Sequence, residues 1–287
     1  MQKRLDYREF GKTGFKVSSI GMGTYYGVMS RVFAGAVGHR SAENDKLKVL
    51  RRGIELGMNL IDTAEVYGTE ELVGEAVNGQ KRDDLFIATK VWPSHLHYDD
   101  VLRSASSSLT KLKLAFVDLY QIHWPDGRIP IKETMRAMDR LIDEGKVRYV
   151  GVSNFSVAQT KEAQEALSKH DLASNQVEYS LLARGIEEDL LPYCKSSGIA
   201  VLAYRPLAHG ALANPSGRLE SVMKEISRAH NGRTSAQIAL NWLLTRGENV
   251  FPIPRASRLE HVMEDAGASG WRLGEGEVSA LLGATRQ

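Results

Sequence analysis

Short apolar runs alternate with longer amphipathic stretches along most of the chain. The runs predict strands because each is short and is bounded by polar or turn-forming residues. The stretches between them repeat apolar residues every three or four positions, as helices that cover a sheet do. The predicted strands are Ser18–Met22, Asn59–Asp62, Leu85–Lys90, Val117–His123, Tyr149–Ser153, Ser174–Val177, Ile199–Tyr204 and Val250–Ile253, and the predicted helices include Glu43–Leu56, Asp99–Leu112, Ile131–Glu144 and Ser156–Leu167.

This alternation predicts an α/β fold with a parallel sheet rather than segregated strands and helices. Eight units in 287 residues match a (β/α)8 TIM barrel, and we expect a single domain over residues 1–287. An open, doubly wound sheet is the alternative, because alternation alone does not establish closure. Arg4–Phe10 and Phe15–Ile20 flank a turn that holds Gly11 and Gly14. We therefore predict an N-terminal β-hairpin that caps the bottom of the barrel.

Titratable side chains stand at the ends of three successive predicted strands. Asp62, Lys90 and His123 are the last residues of these strands, and Tyr67 follows Asp62 after a short segment. Because the carboxyl ends of parallel strands converge on one mouth, we expect the four side chains to share a site.

The four side chains suit the reduction of a carbonyl group. Hydride transfer leaves an alkoxide that needs a proton, and Tyr67 is the predicted general acid. An ammonium at Lys90 is expected to lower the phenol pKa from its usual value of about 10, with Asp62 holding Lys90 charged. A neutral His123 would donate a hydrogen bond that orients and polarises the carbonyl.

Other chemistries fit these residues less well. The set has one His and one carboxylate without a third ligand, and a Lys beside them would repel a cation, so no metal site is predicted. A nucleophilic serine is not indicated, because the sequence has no Gly-x-Ser-x-Gly motif. The single cysteine, Cys194, excludes an internal disulfide and is expected to be a small buried hydrophobe. A Schiff base on Lys90 stays open.

Six segments resemble the motifs of the aldo-keto reductase superfamily, in the family's order and over nearly the whole chain. They are Ile61–Gly68, Ile87–Val91, Asp118–Pro125, Gly151–Phe155, Asn175–Tyr179 and Pro252–Ser257. The resemblance implies an NADP-dependent oxidoreductase that reduces aldehydes or ketones, and it gives Asp62, Tyr67, Lys90 and His123 the roles argued above. Potassium-channel β subunits share this fold and bind NADP, so a regulatory protein remains an alternative, as does a Schiff-base lyase.

The cofactor prediction rests on the resemblance, because Gly21–Gly27 has one residue too many for the Gly-x-Gly-x-x-Gly fingerprint. The family binds its dinucleotide across the barrel mouth. The matching positions are Gly23, Thr24 and Tyr25 on the first strand, Ser153, Asn154 and Gln176 at the carboxamide, Tyr204 under the nicotinamide, Arg205, Pro206 and Leu207 at the pyrophosphate, Arg255, Ser257, Arg258 and His261 at the 2′-phosphate, and Glu264 and Asp265 at the adenine. Asp62 also belongs to the predicted cofactor site.

Arginine at the 2′-phosphate position favours NADPH over NADH, since its fork binds two oxygens at once. Three departures from the family qualify the cofactor prediction, and the last of them weakens the NADP preference, which leaves NAD(H) possible. Arg205 stands where many relatives have Ser, Asp265 where Asn is common, and His261 where many have Arg.

Four less patterned stretches are predicted to build the mouth of the barrel. They are Tyr25–Arg40, Trp92–Asp99, Trp124–Pro130 and Leu207–Gly217. Tyr25, Trp92 and Trp124 are the expected walls of a substrate pocket, whereas Tyr26 is as well explained by packing. Only five residues follow the predicted last helix, Gly276–Leu282, and the long tail of many relatives is missing. We expect an open pocket and broad acceptance of aldehydes.

Composition and charge exclude several partner classes. Hydrophobic residues make up 43%, and the net charge of +2 comes from 37 basic and 35 acidic residues of mixed order. No nucleic-acid partner is expected, because no basic tract is present. The chain lacks an apolar signal segment and any run near the roughly 18 residues of a membrane span. We expect a cytoplasmic monomer that binds small carbonyl compounds and no membrane.

Overall fold

The computed structural model describes residues 5–26 and 36–285, except for the side chains of residues 36–42. In these residues, strands and helices alternate after an initial hairpin. The strands are β1 Tyr7–Glu9, β2 Lys16–Ser18, β3 Met22–Gly23, β4 Leu60–Asp62, β5 Phe86–Val91, β6 Val117–Ile122, β7 Val147–Ser153, β8 Leu172–Glu178, β9 Ala200–Tyr204 and β10 Val250–Pro252. The helices are α1 Ala36–Glu55, α2 Glu70–Val77, α3 Tyr98–Leu112, α4 Ile131–Asp143, α5 Val157–Ala166, α6 Leu190–Ser197, α7 Gly217–Ala229, α8 Ser235–Thr245, α9 Leu259–Ala266 and α10 Glu275–Ala284.

The eight strands β3 to β10 pair in chain order, each parallel to the next. Backbone hydrogen bonds then join the two ends of the sheet. The amides of Gly21 and Gly23 donate to the carbonyl oxygens of Pro252 and Pro254, each at 2.9 Å. A Cβ atom on Gly23 would lie 2.8 Å from the Ile253 oxygen, so glycine permits the close approach at this seam. The predicted (β/α)8 barrel is confirmed, and the open sheet is wrong.

The predicted hairpin caps the bottom of the barrel. Strands β1 and β2 pair antiparallel, with Tyr7 opposite Ser18. Phe10, which directly follows β1, is fully buried, and its ring centroid lies 4.6 Å from that of Phe86 and 5.3 Å from that of Phe251. Those rings belong to the floor of the barrel, so the hairpin plugs the end opposite the strand carboxyl termini.

The apolar core has two layers, as a closed barrel with covering helices requires. One layer fills the inside of the barrel, and the other lies between the strands and the helices. Residues of the inner layer include Leu60, Phe86, Ala88, Leu119, Leu202 and Phe251, and residues of the outer layer include Ile61, Ile87, Tyr120, Val201 and Val250.

Two predicted boundaries are wrong. The first barrel strand is Met22–Gly23 and not Ser18–Met22, because Ser18 pairs with the hairpin and the Ser19 amide donates to the Asp6 oxygen. Helix α1 begins at Ala36, inside the loop predicted to reach Arg40, since its first turns lack the apolar spacing on which the prediction relied. Residues 27–35 of that loop, Arg4 of the hairpin and residues 286–287 of the tail lie outside the described residues.

Candidate active site

The barrel places the four predicted side chains at its carboxyl mouth. Asp62 ends β4, Lys90 is the last but one residue of β5, and His123 directly follows β6. Tyr67 ends a single 3₁₀ turn, Glu65–Tyr67, that follows β4. Because the three strands are neighbours in parallel register, the four side chains come together. We refer to them as the tetrad.

Lys90 and Asp62 form a buried ion pair at the base of the site. The Lys90 Nζ atom lies 2.6 Å from Asp62 Oδ2 and donates to the Thr63 carbonyl oxygen at 2.9 Å. The other carboxylate oxygen of Asp62 accepts from Gln176 Nε2 at 2.8 Å. Complete burial disfavours the ammonium and is the largest single effect, but the Asp62 charge, Tyr67 and the hydrogen bonds to both together outweigh it and keep the pKa of Lys90 above its ordinary value. Lys90 is therefore charged.

The Tyr67 hydroxyl lies between a cation and an imidazole. It is 3.5 Å from Lys90 Nζ and 3.3 Å from His123 Nε2. Burial raises the pKa of Tyr67, and the Lys90 charge offsets only part of that rise, so the pKa stays above its ordinary value of 10. Lys90 acts to lower the pKa of Tyr67, as expected, but the net shift is upward because desolvation is the larger effect. The phenol remains protonated, which is the form that donates a proton.

His123 is neutral in this site, in agreement with the expectation from the sequence. Burial lowers its pKa to about 3, and the Lys90 charge acts in the same direction. Its Nδ1 atom is buried without a hydrogen-bond partner among the described residues. The ring of Trp92 meets the imidazole edge-on, with centroids 5.1 Å apart and planes at 89°.

Two partly exposed aromatic side chains contact the tetrad, and a third, Trp124, directly follows His123 in the chain. Tyr25, Trp92 and Trp124 are 50%, 37% and 44% exposed, although each is large and apolar. The Tyr25 ring lies 5.0 Å from that of Tyr67. Tyr26 is different: its hydroxyl is buried without a partner among the described residues, and its ring lies 5.9 Å from the Arg255 guanidinium. Tyr26 is therefore beside Arg255 and not beside the tetrad.

A row of hydrogen bonds extends from the tetrad along the mouth. The Ser153 hydroxyl donates to the Gln176 carbonyl oxygen at 2.9 Å. The Asn154 amide group donates to Ser153 Oγ at 3.0 Å and to the His123 carbonyl oxygen at 3.1 Å, and it accepts from the Tyr204 hydroxyl at 2.8 Å. Asn154 has a φ of 63°, in the left-handed region that Asn tolerates better than most residues. The row holds amide and hydroxyl groups in one fixed arrangement.

The edges of this row hold other residues of the predicted cofactor site. Thr24 Oγ1 donates to the Asp62 carbonyl oxygen at 3.0 Å, which ties the first barrel strand to the tetrad. Arg205 has a φ of 50° and an Nη1 atom 3.3 Å from Glu178 Oε2. Pro206 and Leu207 follow it in the loop after β9.

The predicted phosphate residues lie at the start of α9. Arg255, Ser257, Arg258 and His261 are all exposed, and Arg258 is the N-cap of that helix. Amide groups and the helix dipole at an N-terminus favour an anion, and two guanidinium groups add positive charge. This end of α9 therefore suits a phosphate group.

Asp265 faces inward from α9 and is only 4% exposed. Burial raises its pKa to about 8, and the neighbouring charge of Glu264 adds to the rise. Among the described residues it has no side-chain hydrogen bond or ion pair. The residues grouped around Asp265 on this side of α9 are Met22, Gly23, Tyr26, Val49, Leu50, Pro254, Ala256 and Val262.

Comparison with known proteins identifies the family. The Aldo/keto reductase family model matches residues 20–284. The chain belongs to the aldo-keto reductase family. It is 38% identical to the methylglyoxal reductase YeaE of Escherichia coli over 92% of this chain and 89% of that protein. It is 34% identical to a glyoxal reductase of Bacillus subtilis over 83% of each chain.

Solved aldo-keto reductases have the same fold. The thermostable aldo-keto reductase Tm1743, solved with the inhibitor epalrestat, superposes with a TM-score of 0.87 at 38% identity, covering 98% of this chain and 100% of that one. An aldo/keto reductase from Klebsiella pneumoniae, solved with NADP and acetate, gives a TM-score of 0.84 at 35% identity, covering 98% and 94%.

Two residues of this aldo-keto reductase site were not predicted. Gln121 Nε2 lies 3.5 Å from Asp62 Oδ1, and Gln121 accepts from the Ser174 hydroxyl at 3.3 Å. Its position two residues before His123 places it on the same inward face of the strand, a signal that the sequence does contain. Glu65 contacts the loop after β5, and nothing in its sequence position indicates that contact.

Among the described residues, no group of three or more His, Cys, Asp or Glu side chains could hold a metal ion, and no helix is long and apolar enough to cross a membrane.

Proposed function

We propose that this aldo-keto reductase reduces aldehydes and ketones to alcohols with NADPH, and that the tetrad performs the proton transfer. The observation that carries the proposal is a protonated Tyr67 hydroxyl within 3.5 Å of both the charged Lys90 and the neutral His123. A general acid, a cation and a hydrogen-bond donor are the groups that a developing alkoxide requires.

Each side chain has a defined part in this mechanism. Bound NADPH supplies the hydride. Tyr67 gives its proton to the carbonyl oxygen, and Lys90 stabilises the phenolate that remains. Asp62 keeps Lys90 charged and oriented through their 2.6 Å contact. His123, with its proton on Nε2, donates a hydrogen bond to the same carbonyl oxygen.

The proposed cofactor fits the residues around the tetrad. The amide and hydroxyl row of Ser153, Asn154 and Gln176 can pair with a carboxamide, and the Tyr204 ring lies beside it. Arg255 and Arg258 at the start of α9 are proposed to bind the 2′-phosphate, which favours NADPH over NADH. Klebsiella pneumoniae aldo-keto reductases at 35% and 36% identity were solved with NADP and NADPH.

Small aldehydes are the proposed substrates. The relatives from Escherichia coli and Bacillus subtilis are a methylglyoxal reductase and a glyoxal reductase. The pocket walls Tyr25, Trp92 and Trp124 are partly open to solvent, so the site also has room for larger carbonyl compounds. A Schiff-base lyase has less support, because a charged Lys90 is not nucleophilic.

The test is NADPH oxidation with a panel of aldehydes and ketones, repeated with NADH. We expect turnover of methylglyoxal with NADPH. The Tyr67→Phe variant should lose roughly two or more orders of magnitude in kcat and bind NADPH normally, since the hydroxyl acts only in proton transfer. NADPH binding without turnover of any carbonyl would instead favour a regulatory protein, and near-normal turnover by Tyr67→Phe would contradict the role of the tyrosine.

A further inference from the structure

The carboxylate of Glu65 joins two loops at the barrel mouth. Its Oε1 atom accepts from the Trp92 backbone amide at 2.5 Å and lies 2.9 Å from His95 Nδ1. The Glu65 side chain is only 12% exposed. Glu65 begins the 3₁₀ turn that ends at Tyr67, whereas Trp92 and His95 belong to the loop after β5.

The Trp92 ring lies directly beside the tetrad, so a change in its position would change the active site. Its ring meets His123 edge-on, and the preceding residue, Val91, accepts from the His123 amide at 3.0 Å. Lys90 comes just before Val91. A shift of the Trp92 backbone therefore moves an aromatic wall that stands directly beside the reacting groups.

We propose that Glu65 is a positioning residue that fixes Trp92 as a wall of the substrate pocket and so determines how well bulky carbonyl compounds bind. The inference rests on the proposed reductase function. The Glu65 carboxylate makes no hydrogen bond to a tetrad residue, so its effect on the reaction passes through Trp92. If the Trp92 amide loses its carboxylate partner, it must find another acceptor, and the backbone that carries the ring can then shift.

The two partners of Glu65 differ in importance. The Trp92 amide belongs to the backbone that carries the wall, whereas the His95 imidazole is 48% exposed. A contact to a half-exposed imidazole contributes little, because water competes for that group. His95→Ala should therefore leave the wall in place.

Steady-state kinetics with two aldehydes of different size test the proposal. The substrates are methylglyoxal, which is compact, and para-nitrobenzaldehyde, which must pack against the wall. Glu65→Ala and Glu65→Asp, whose carboxylate is too short to reach the Trp92 amide, should raise the KM for the aryl aldehyde about tenfold, the scale for losing one charge-assisted hydrogen bond. The KM for methylglyoxal and the Kd for NADPH should change little.

Three further variants separate positioning from general damage. Glu65→Gln keeps an oxygen that accepts from the Trp92 amide, so its KM values should stay near those of the wild type. Trp92→Ala should itself raise the KM for the aryl aldehyde, and adding Glu65→Ala to it should have no further effect if Glu65 acts only through Trp92. Glu71→Ala changes an exposed glutamate of α2 and is the matched control.

The outcomes distinguish this inference from the proposed function. A wild-type protein that reduces neither aldehyde contradicts the function itself. If the wild type is active, equal changes in KM for both aldehydes, weaker NADPH binding, or a full Glu65→Ala effect in the Trp92→Ala background would overturn the positioning role. Glu65→Asp and Glu65→Gln keep the test decisive even when the alanine variant does not fold.

Discussion

Tyr67 and His123 are both held in their uncharged forms by burial, and this determines how the reaction should respond to pH. The pKa of His123 is about 3 and that of Tyr67 lies above 10. Reduction needs a protonated phenol and a neutral imidazole, so kcat/KM for an aldehyde should stay level between about pH 5 and pH 9. A pH series of kcat/KM checks this, because its pH dependence reports the pKa values of groups in the free enzyme.

A fall in rate centred near pH 6 or 7 would mean that His123 is not buried as described. The residual activity of Lys90→Met provides a second check. The Lys90 charge opposes the rise in the pKa of Tyr67, so its removal should move the alkaline limit of the profile to higher pH.

Asp265 should make the free energy of unfolding fall as the pH rises, which is the reverse of the effect of most carboxyl groups. Its pKa is about 8 in the folded protein and 3.8 as the ordinary value, so folding favours the protonated acid. The stabilisation is complete below about pH 4 and is lost as the pH rises through 8. At pH 9, Asp265→Asn should have a higher free energy of unfolding than the wild type, by up to several kcal/mol, whereas at pH 4 the two should be similar.

Denaturant unfolding without cofactor at the two pH values measures this difference. The exposed Asp171→Asn is the control, and it should not change the free energy of unfolding at either pH. An Asp265→Asn variant that is no more stable at pH 9 would mean that water or a rearrangement already solvates the carboxylate.

Among the secondary-structure elements, the N-terminal end of α9 has the role that can be tested most directly, because it should affect NADPH binding and not NADH binding. Arg255→Ala should weaken NADPH binding roughly tenfold or more and change NADH binding little, because only NADPH carries the 2′-phosphate. Isothermal titration with both cofactors measures the two affinities. The exposed Arg228→Ala on α7 is a control of equal charge change.

Equal losses for NADPH and NADH would instead indicate a structural role for Arg255. The same experiment on Arg205→Ser is informative, since a contact with the pyrophosphate would weaken both cofactors alike.

The polar residues at the strand ends could be predicted from the sequence, but how deeply their side chains are buried could not. Asp62, Lys90 and His123 stand where short apolar runs stop, and the convergence of parallel strand ends then brings them together. The first barrel strand was misplaced because it has two residues and follows a hairpin strand of similar pattern. The sign of the Tyr67 pKa shift depends on how much protein covers the phenol, which no local pattern encodes.

On the scale of the whole molecule, residues that stabilise the fold and residues of the active site lie at opposite ends of the barrel. Phe10 is fully buried in the floor, at the end opposite the tetrad. Phe10→Ala should lower the free energy of unfolding by about 3 to 5 kcal/mol, and KM and the NADPH Kd should stay unchanged while the protein is folded. Denaturant unfolding and kinetics on the same preparation test both parts.

Trp124→Ala is the reciprocal control, because this ring is 44% exposed at the mouth. It should change substrate KM and leave the free energy of unfolding almost unaltered. A Phe10 variant with altered KM would show that the two ends of the barrel are coupled.

The seam between β3 and β10 has a consequence for biosynthesis. One edge of β3 pairs with β4, but its other edge stays unpaired until strand β10 has left the ribosome, after all the other strands of the barrel. Until then the nascent sheet has an open edge, and open edges invite pairing with other chains. The two-residue length of β3 makes such pairing less favourable, because so short an edge has few amide and carbonyl groups that can pair with another chain.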